Sequence, residues 1–188
     1  MVDDTRTQIL NAAQEMVQTR GYNAFSYRDL SEVVGVKTSS IHYYFPTKGD
    51  LGIELLQRYS SQMEEKLAEF DRANLSPEGK LKKFCGLLES ALRQNERLCL
   101  CGSFASQSKT LPPELVDKLR LTIEAVEKWL TGVLEQGRED QSLGFRGNPR
   151  KVATAFFSAL QGNMICARVC GDADCFCSNS KVLIDLLK

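Results

Sequence analysis

Lys37 to Leu51, KTSSIHYYFPTKGDL, sets four aromatic rings (His42, Tyr43, Tyr44 and Phe45) between small hydroxyl residues and a Pro-Thr-Lys. A hydrophobic core has no use for Thr38, Ser39 and Ser40, and a solvated loop has no use for four rings. The local signals order the stretch. Gly35 breaks the chain before it, and a short helix runs from about Thr38 to Phe45 until Pro46 stops it. Thr47 with Asp50 three residues later is a capping pattern that opens the next, long helix. Ile41 and Phe45, four residues apart, are the inward pair that anchors the short helix.

Working upstream, DTRTQILNAAQEMVQTRGY carries apolar residues at Ile9, Ala12, Ala13, Met16 and Val17, the spacing of one helix face. Asp4 or Thr5 caps its start and Gly21 its end. Ser26 with Asp29 forms a second capping pattern, with Asp where Glu or Gln is usual, and opens a short helix whose Leu30, Val33 and Val34 face inward. A long helix followed by two short ones joined at a glycine turn has the shape of a helix-turn-helix module. In that module the second short helix enters the major groove, which explains the mixture in the opening stretch. Ser and Thr hydroxyls donate to bases or phosphates, tyrosyl hydroxyls reach phosphates, and ring faces meet thymine methyls. Lys48, in the first turn of the following helix, is placed to grip a phosphate together with the free backbone N–H groups there.

These residues, ILNAAQEMVQTRGYNAFSYRDLSEVVGVKTSSIHYYFPTKGDL, resemble the TetR-type (tetracycline-repressor-like) family of bacterial transcriptional regulators over about the first fifty positions. Carriers of the resemblance are Gly21-Tyr22, Ser26 before the second helix, Val34-Gly35-Val36, and a short helix ending in a tyrosine and phenylalanine. Lys48 with Asp50-Leu51 completes them. Where this chain has His42 the family often has Tyr, and where it has Tyr44 the family often has His. The resemblance implies an all-α homodimer: an N-terminal three-helix reading head at residues 1–47, then a helical effector-binding and dimerisation bundle at 48–188. It implies a double-stranded, near-palindromic DNA operator as partner and an unidentified small-molecule effector. Near the DNA it places Tyr27, Arg28, Lys37, Thr38, Ser39, Ser40, His42, Tyr43, Tyr44 and Lys48.

The remaining chain is helical throughout. Leu51, Leu55, Tyr59, Met63, Leu67 and Phe70 stripe the long helix, and Ser76-Pro77 opens another with Leu81, Phe84, Leu88 and Leu92 inward. A long amphipathic helix from Pro112 ends near Gly137, and Asn148-Pro149 opens one that is apolar on most sides to about Cys170. Such a helix is buried all round or docks on a partner. Phe156, Ala159, Leu160 and Gly162 are expected in the interface with a twofold mate. Phe84, Leu88, Cys99, Phe104, Trp129 and Phe157 are expected to line the effector pocket or to fill the core around it.

Composition narrows the alternatives. Formal charge is zero over 188 residues, with 24 basic and 24 acidic, so any DNA contact is local. The first fifty residues hold five basic and six acidic side chains, the acids mostly capping helix starts. No apolar leader opens the chain, and the longest uncharged run, 152–167, contains Gln161 and Asn163, which points to a cytoplasmic protein with no membrane partner. His42 is the single histidine and the sequence places no acid or nucleophile as its partner, so no catalytic residue, cofactor or metal ligand is assigned and a helical small-molecule-modifying enzyme is disfavoured. Seven cysteines fit a reducing compartment. Cys166 and Cys170, one turn apart, read as buried small hydrophobes. Cys99-Leu-Cys101 and Cys175-Phe-Cys177 are too closely spaced for a zinc knuckle. The first pair still offers a second input, a thiol- or metal-responsive sensor in which an adduct on LCLCGSFAS tilts the reading heads.

Overall fold

The computed structural model describes residues 4–188, so residues 1–3 of the expected reading head lie outside it. Nine α-helices and no strand occur among the described residues. They are α1 (Thr5–Arg20), α2 (Tyr27–Val34), α3 (Thr38–Tyr44), α4 (Lys48–Arg72), α5 (Pro77–Arg93), α6 (Leu100–Ala105), α7 (Pro113–Glu139), α8 (Pro149–Cys170) and α9 (Ala173–Asp185). By packing, the described residues up to 61 and 100–122 form one compact unit, and 62–99 with 123–188 form the other. The first unit therefore takes in α6 and the start of α7, a segment the sequence alone had assigned to the effector half.

Within the first unit the caps act as their residue types dictate. The Asp4 carboxylate accepts from the Thr7 amide at 2.8 Å, and Gly21 ends α1 at φ 99°. Asp29, though a methylene shorter than Glu, reaches the Ser26 amide at 2.6 Å and completes a capping box. Thr47 and Asp50 repeat that box at the start of α4, with bonds of 2.9 and 3.1 Å. Gly35, left-handed at φ 76°, makes the turn between α2 and α3.

The core beneath is built from Ile9, Leu10, Ala13, Met16 and Val17 of α1 with Leu30, Ile41, Phe45, Leu51 and Phe104. Ala12 is only half-buried, and Leu10 takes the inward place beside Ile9. Val33 also departs from expectation. It is 64% exposed, because Tyr27, Leu30 and Val34 form the column of α2 that faces inward and Val33 lies well to one side of it. At Gly52 α4 and α7 come so close that a Cβ would sit 2.7 Å from a Leu115 methyl. Gln107 accepts from the Asn23 amide at 2.9 Å, and Asn23 donates to the Thr110 hydroxyl at 2.7 Å, so the segment after α6 holds the turn between α1 and α2.

In the second unit α5 packs on α8 and α9, and α8 packs on α9. Leu81, Phe84, Leu88, Leu92, Phe157, Leu160, Met164 and Phe176 are buried there. Asn163 is also buried and is satisfied: its amide donates to the Phe176 carbonyl at 3.0 Å and its oxygen accepts from Asn179 at 3.0 Å. That pair of bonds fixes the register of α8 against α9.

Candidate nucleic-acid interface

Ile41 (0% exposed) and Phe45 (2%) anchor α3 as the sequence expects, and their burial fixes which residues point away. Ser39, His42 and Tyr43 stand at i, i+3 and i+4 on the outward side, all exposed, with Tyr43 81% accessible. Tyr44 is exposed beside Tyr43, the two rings meeting edge-on at 5.1 Å, which stiffens both. His42 is held twice. Its ring packs edge-on against Tyr27 at 4.7 Å, and Nδ1–H donates to the Pro46 carbonyl at 3.2 Å. In the tautomer with that proton on Nδ1, Nε2 is the ring's acceptor. The stripe therefore offers two hydroxyl groups and an imidazole nitrogen on a rigid seven-residue helix, chemistry suited to reading base edges.

The other expected contacts divide by burial. Arg28 and Lys37 are exposed, Arg28 pairing with Glu32 at 3.2 Å on the same helix face. Thr38 and Ser40 are half-buried, and the Thr38 hydroxyl bonds that of Ser31 at 3.3 Å, joining α3 to α2. Tyr27 is turned inward. It is 9% exposed, and its hydroxyl donates toward the carbonyls of Phe45 (2.9 Å) and Thr47 (2.6 Å), closing the end of α3 from within. Burial raises its phenol well above the ordinary range, with the neighbouring Tyr22 and Asp50 adding to the shift, so it stays a neutral donor.

Lys48 is half-buried and turned onto its own chain. Its ammonium donates to the Phe25 carbonyl and lies over the Tyr22 and Phe25 rings, 4.7 and 4.2 Å from their centroids. Burial lowers its pKa, against the opposing charge of Asp29. In this structure Lys48 ties the turn before α2 to the start of α4. Neither role was legible in a linear pattern, because each depends on which loop carbonyls the fold brings near.

The expected effector residues also part company. Phe84, Trp129 and Phe157 meet in the second unit, with ring centroids 5.9 Å apart for Phe84–Trp129 and 6.3 Å for Phe84–Phe157. Leu88 and Cys99 are buried in that unit, whereas Phe104 is core in the first, its ring 5.4 Å from Tyr22. Only Trp129 of the aromatic trio is half-exposed, and it borders a cleft of about 480 Å³ with Asp71, Lys80 and Gln136, residues the sequence reading missed. A signal for one of them was present: Lys80 occupies the inward stripe of α5, one turn before Phe84.

At the expected dimer residues, Phe156 (5% exposed) and Leu160 (0%) are buried within their own chain. They point inward because they lie beside Ala153, Phe157, Asn163 and Met164 on the buried side of α8. The outward side is Ala155, Ser158, Gly162, Ile165 and Val169, spaced by three and four, with Ala159 half-buried next to it. A Cβ on Gly162 would meet nothing within 4 Å. Alongside, Val182 of α9 (57%) and Leu186 just past its end (73%) are exposed. Cys166 and Cys170 lie on this exposed side and are not buried as expected, while Cys85, Cys99 and Cys101 are interior. Burial pushes the Cys85 thiol up to about 12. Among the described residues no helix is long and apolar enough to cross a membrane.

Comparison with known proteins agrees with this geometry. The family model described as "Bacterial regulatory proteins, tetR family" matches residues 9–55, from the core of α1 into α4. A TetR-family transcriptional regulator from Agrobacterium tumefaciens is 32% identical, covers 98% of this chain and 97% of its own, and superposes with a TM-score of 0.94. A TetR transcriptional regulator from Legionella pneumophila is 30% identical at the same coverage, with a TM-score of 0.88. The HTH-type transcriptional repressor NemR of Escherichia coli (strain K12) is 23% identical over 177 residues, which is 88% of this chain and 85% of NemR. The chain belongs to the tetR family of bacterial regulatory proteins and is a DNA-binding transcriptional regulator.

Proposed function

We propose that the protein is a cytoplasmic, dimeric repressor that leaves a near-palindromic operator when a small molecule binds its C-terminal helical half. The observation that carries the reading is the outward stripe Ser39–His42–Tyr43 on a helix locked from below by Ile41 and Phe45. Base contact is the purpose that accounts for exposed rings held this stiffly; surface rings without a partner need no such bracing. Residues 1–47 then serve as the DNA-binding domain and 48–188 as the effector and dimerisation domain. Similarity to NemR, a repressor by name, supports the sign of the regulation.

The second copy is supported by the uncharged outward stripe of α8 together with Val182 of α9 and Leu186 just past it. Exposed apolar residues in a continuous patch mark an interaction surface, and the alternating three–four spacing suits an antiparallel or crossed pair of identical helices. The burial of Cys99 and Cys101 argues against the thiol-sensing alternative, since an adduct could form only after the interior opened.

Selection of bound duplexes from a randomised pool tests the reading. The expected product is an inverted repeat whose half-sites are centred about one helical turn, ~34 Å, apart. Enrichment of a single unrepeated half-site, or of no sequence at all, would contradict it.

A further inference from the structure

The cleft beside Trp129 holds an arrangement that core packing does not require. Lys80 is 9% exposed, yet lysines are almost never buried unless paired. Its ammonium donates to Asp71 Oδ1 at 2.8 Å and to Gln136 Oε1 at 3.1 Å, which accounts for two of its three N–H groups. The second oxygen of Asp71 accepts from the Trp129 indole N–H at 3.0 Å. Asp71, its side chain 46% exposed, is thus a carboxylate lying at the edge of an open cleft, bridging an ammonium and an indole. The walls complete the picture. Ala125, Trp129, Gly132 and Gln136 recur at helical spacing along one side of α7, and Gly132 leaves open space where a side chain would stand. Lys128 adds a second cation, this one exposed at the rim, so the lining carries two positive groups against one negative.

We propose that this cleft binds a small amphipathic carboxylate, its acid taken by the Lys80 ammonium with help from Lys128 and its apolar body laid on Trp129 over Gly132. Asp71 is the internal competitor for the same donors. It keeps the buried ammonium paired when the site is empty and turns toward water when a ligand acid takes its place. The excess of positive charge and the buried donor select an anion, and the Trp129 face selects a flat apolar body. This site rests on the reading of the C-terminal half as effector-binding, and it gives that reading a ligand class.

Trp129 is the single tryptophan of the chain, so its fluorescence reports on the cleft directly. The probes are phenylpropionate and a trimethylammonium compound with the same ring and chain length. Phenylpropionate is expected to change the Trp129 emission saturably and at one site, and the cation is not. Asp71→Asn keeps an acceptor for the indole but removes the competing charge, so it should tighten phenylpropionate by roughly tenfold. Lys80→Met fills the same space without charge and should abolish binding, as should Gly132→Leu, which blocks the cleft and leaves every charge in place. Tighter binding of the cation, weaker anion binding in Asp71→Asn, or a response untouched by Lys80→Met and Gly132→Leu would overturn the proposal. Operator release is read separately in a gel shift with the same ligand: the fluorescence decides whether the site exists, and the gel shift decides whether occupancy regulates DNA binding.

Discussion

Replacing Val169 with Glu is expected to give a folded chain that has lost both its partner and its operator. Val169 is 82% exposed, so within one chain the substitution disturbs little and should change stability by less than about 0.5 kcal/mol. In a twofold interface the same residue meets its own mate or a close neighbour, and two carboxylates are then brought together without counter-ions. The monomer that results carries one reading head. Because a single head makes half the contacts, operator affinity should fall by about 1,000-fold or more, toward the level of nonspecific binding. Sedimentation velocity and a gel shift on the same preparation check the two losses together, with circular dichroism confirming the helices. A dimeric Val169→Glu protein that still binds its operator would move the interface elsewhere.

Phe156→Asp should fail in a different way. The sequence had placed Phe156 in the interface, but its side chain is 5% exposed inside its own chain, among the buried residues of α8. Truncating a buried phenylalanine typically costs about 3–5 kcal/mol, and an isolated carboxylate in its place adds a desolvation penalty unless it protonates. That total is comparable with the whole stability of an ordinary domain, roughly 5–15 kcal/mol. The expected outcome is insoluble protein, or a chain whose thermal transition is lost, whatever its concentration. A soluble, fully helical Phe156→Asp monomer would show that the side chain is an interface residue after all.

The contrast between these two positions shows where sequence patterning was sufficient and where it was not. In α1, α3 and α5 the apolar residues concentrate on one face, apart from the buried Gln18 and Lys80, and residues read as inward from spacing are buried at Ile9, Ile41, Phe45, Leu81 and Phe84. The caps at Asp4, Ser26, Thr47, Ser76 and Asn148 were legible because each is a local bond between residues three apart. In α8 the pattern carries too little contrast. Phenylalanine, alanine and glycine occur all around it, so the sequence could announce an interface without saying which side was core. The reading head shows a similar limit. Tyr27 and Lys48 are polar residues at the edge of a reading module, which favours DNA contact in a linear reading. Their partners, the carbonyls of Phe45, Thr47 and Phe25, come from loops that only the folded chain brings within reach. The cleft residues Asp71, Lys80 and Gln136 belong to three different helices, and of these only Lys80 broke a local pattern.

The assignment of α3 as the base-reading element is tested most directly by comparing Tyr43→Ala, Ser39→Ala and Tyr27→Phe for operator and random-sequence affinity across a range of salt. Tyr43 and Ser39 are outward on α3. Losing either should reduce the ratio of specific to nonspecific affinity by about 1–3 kcal/mol per half-site. The slope of log affinity against log salt should stay the same, since no charge is removed. Tyr27→Phe deletes a hydroxyl that satisfies two loop carbonyls. It should lower folding stability by about 1–3 kcal/mol while leaving that ratio close to wild type in protein that remains folded. The opposite pattern, with sequence preference intact in Tyr43→Ala and Ser39→Ala but lost in a stable Tyr27→Phe, would contradict the placement of the recognition surface on α3.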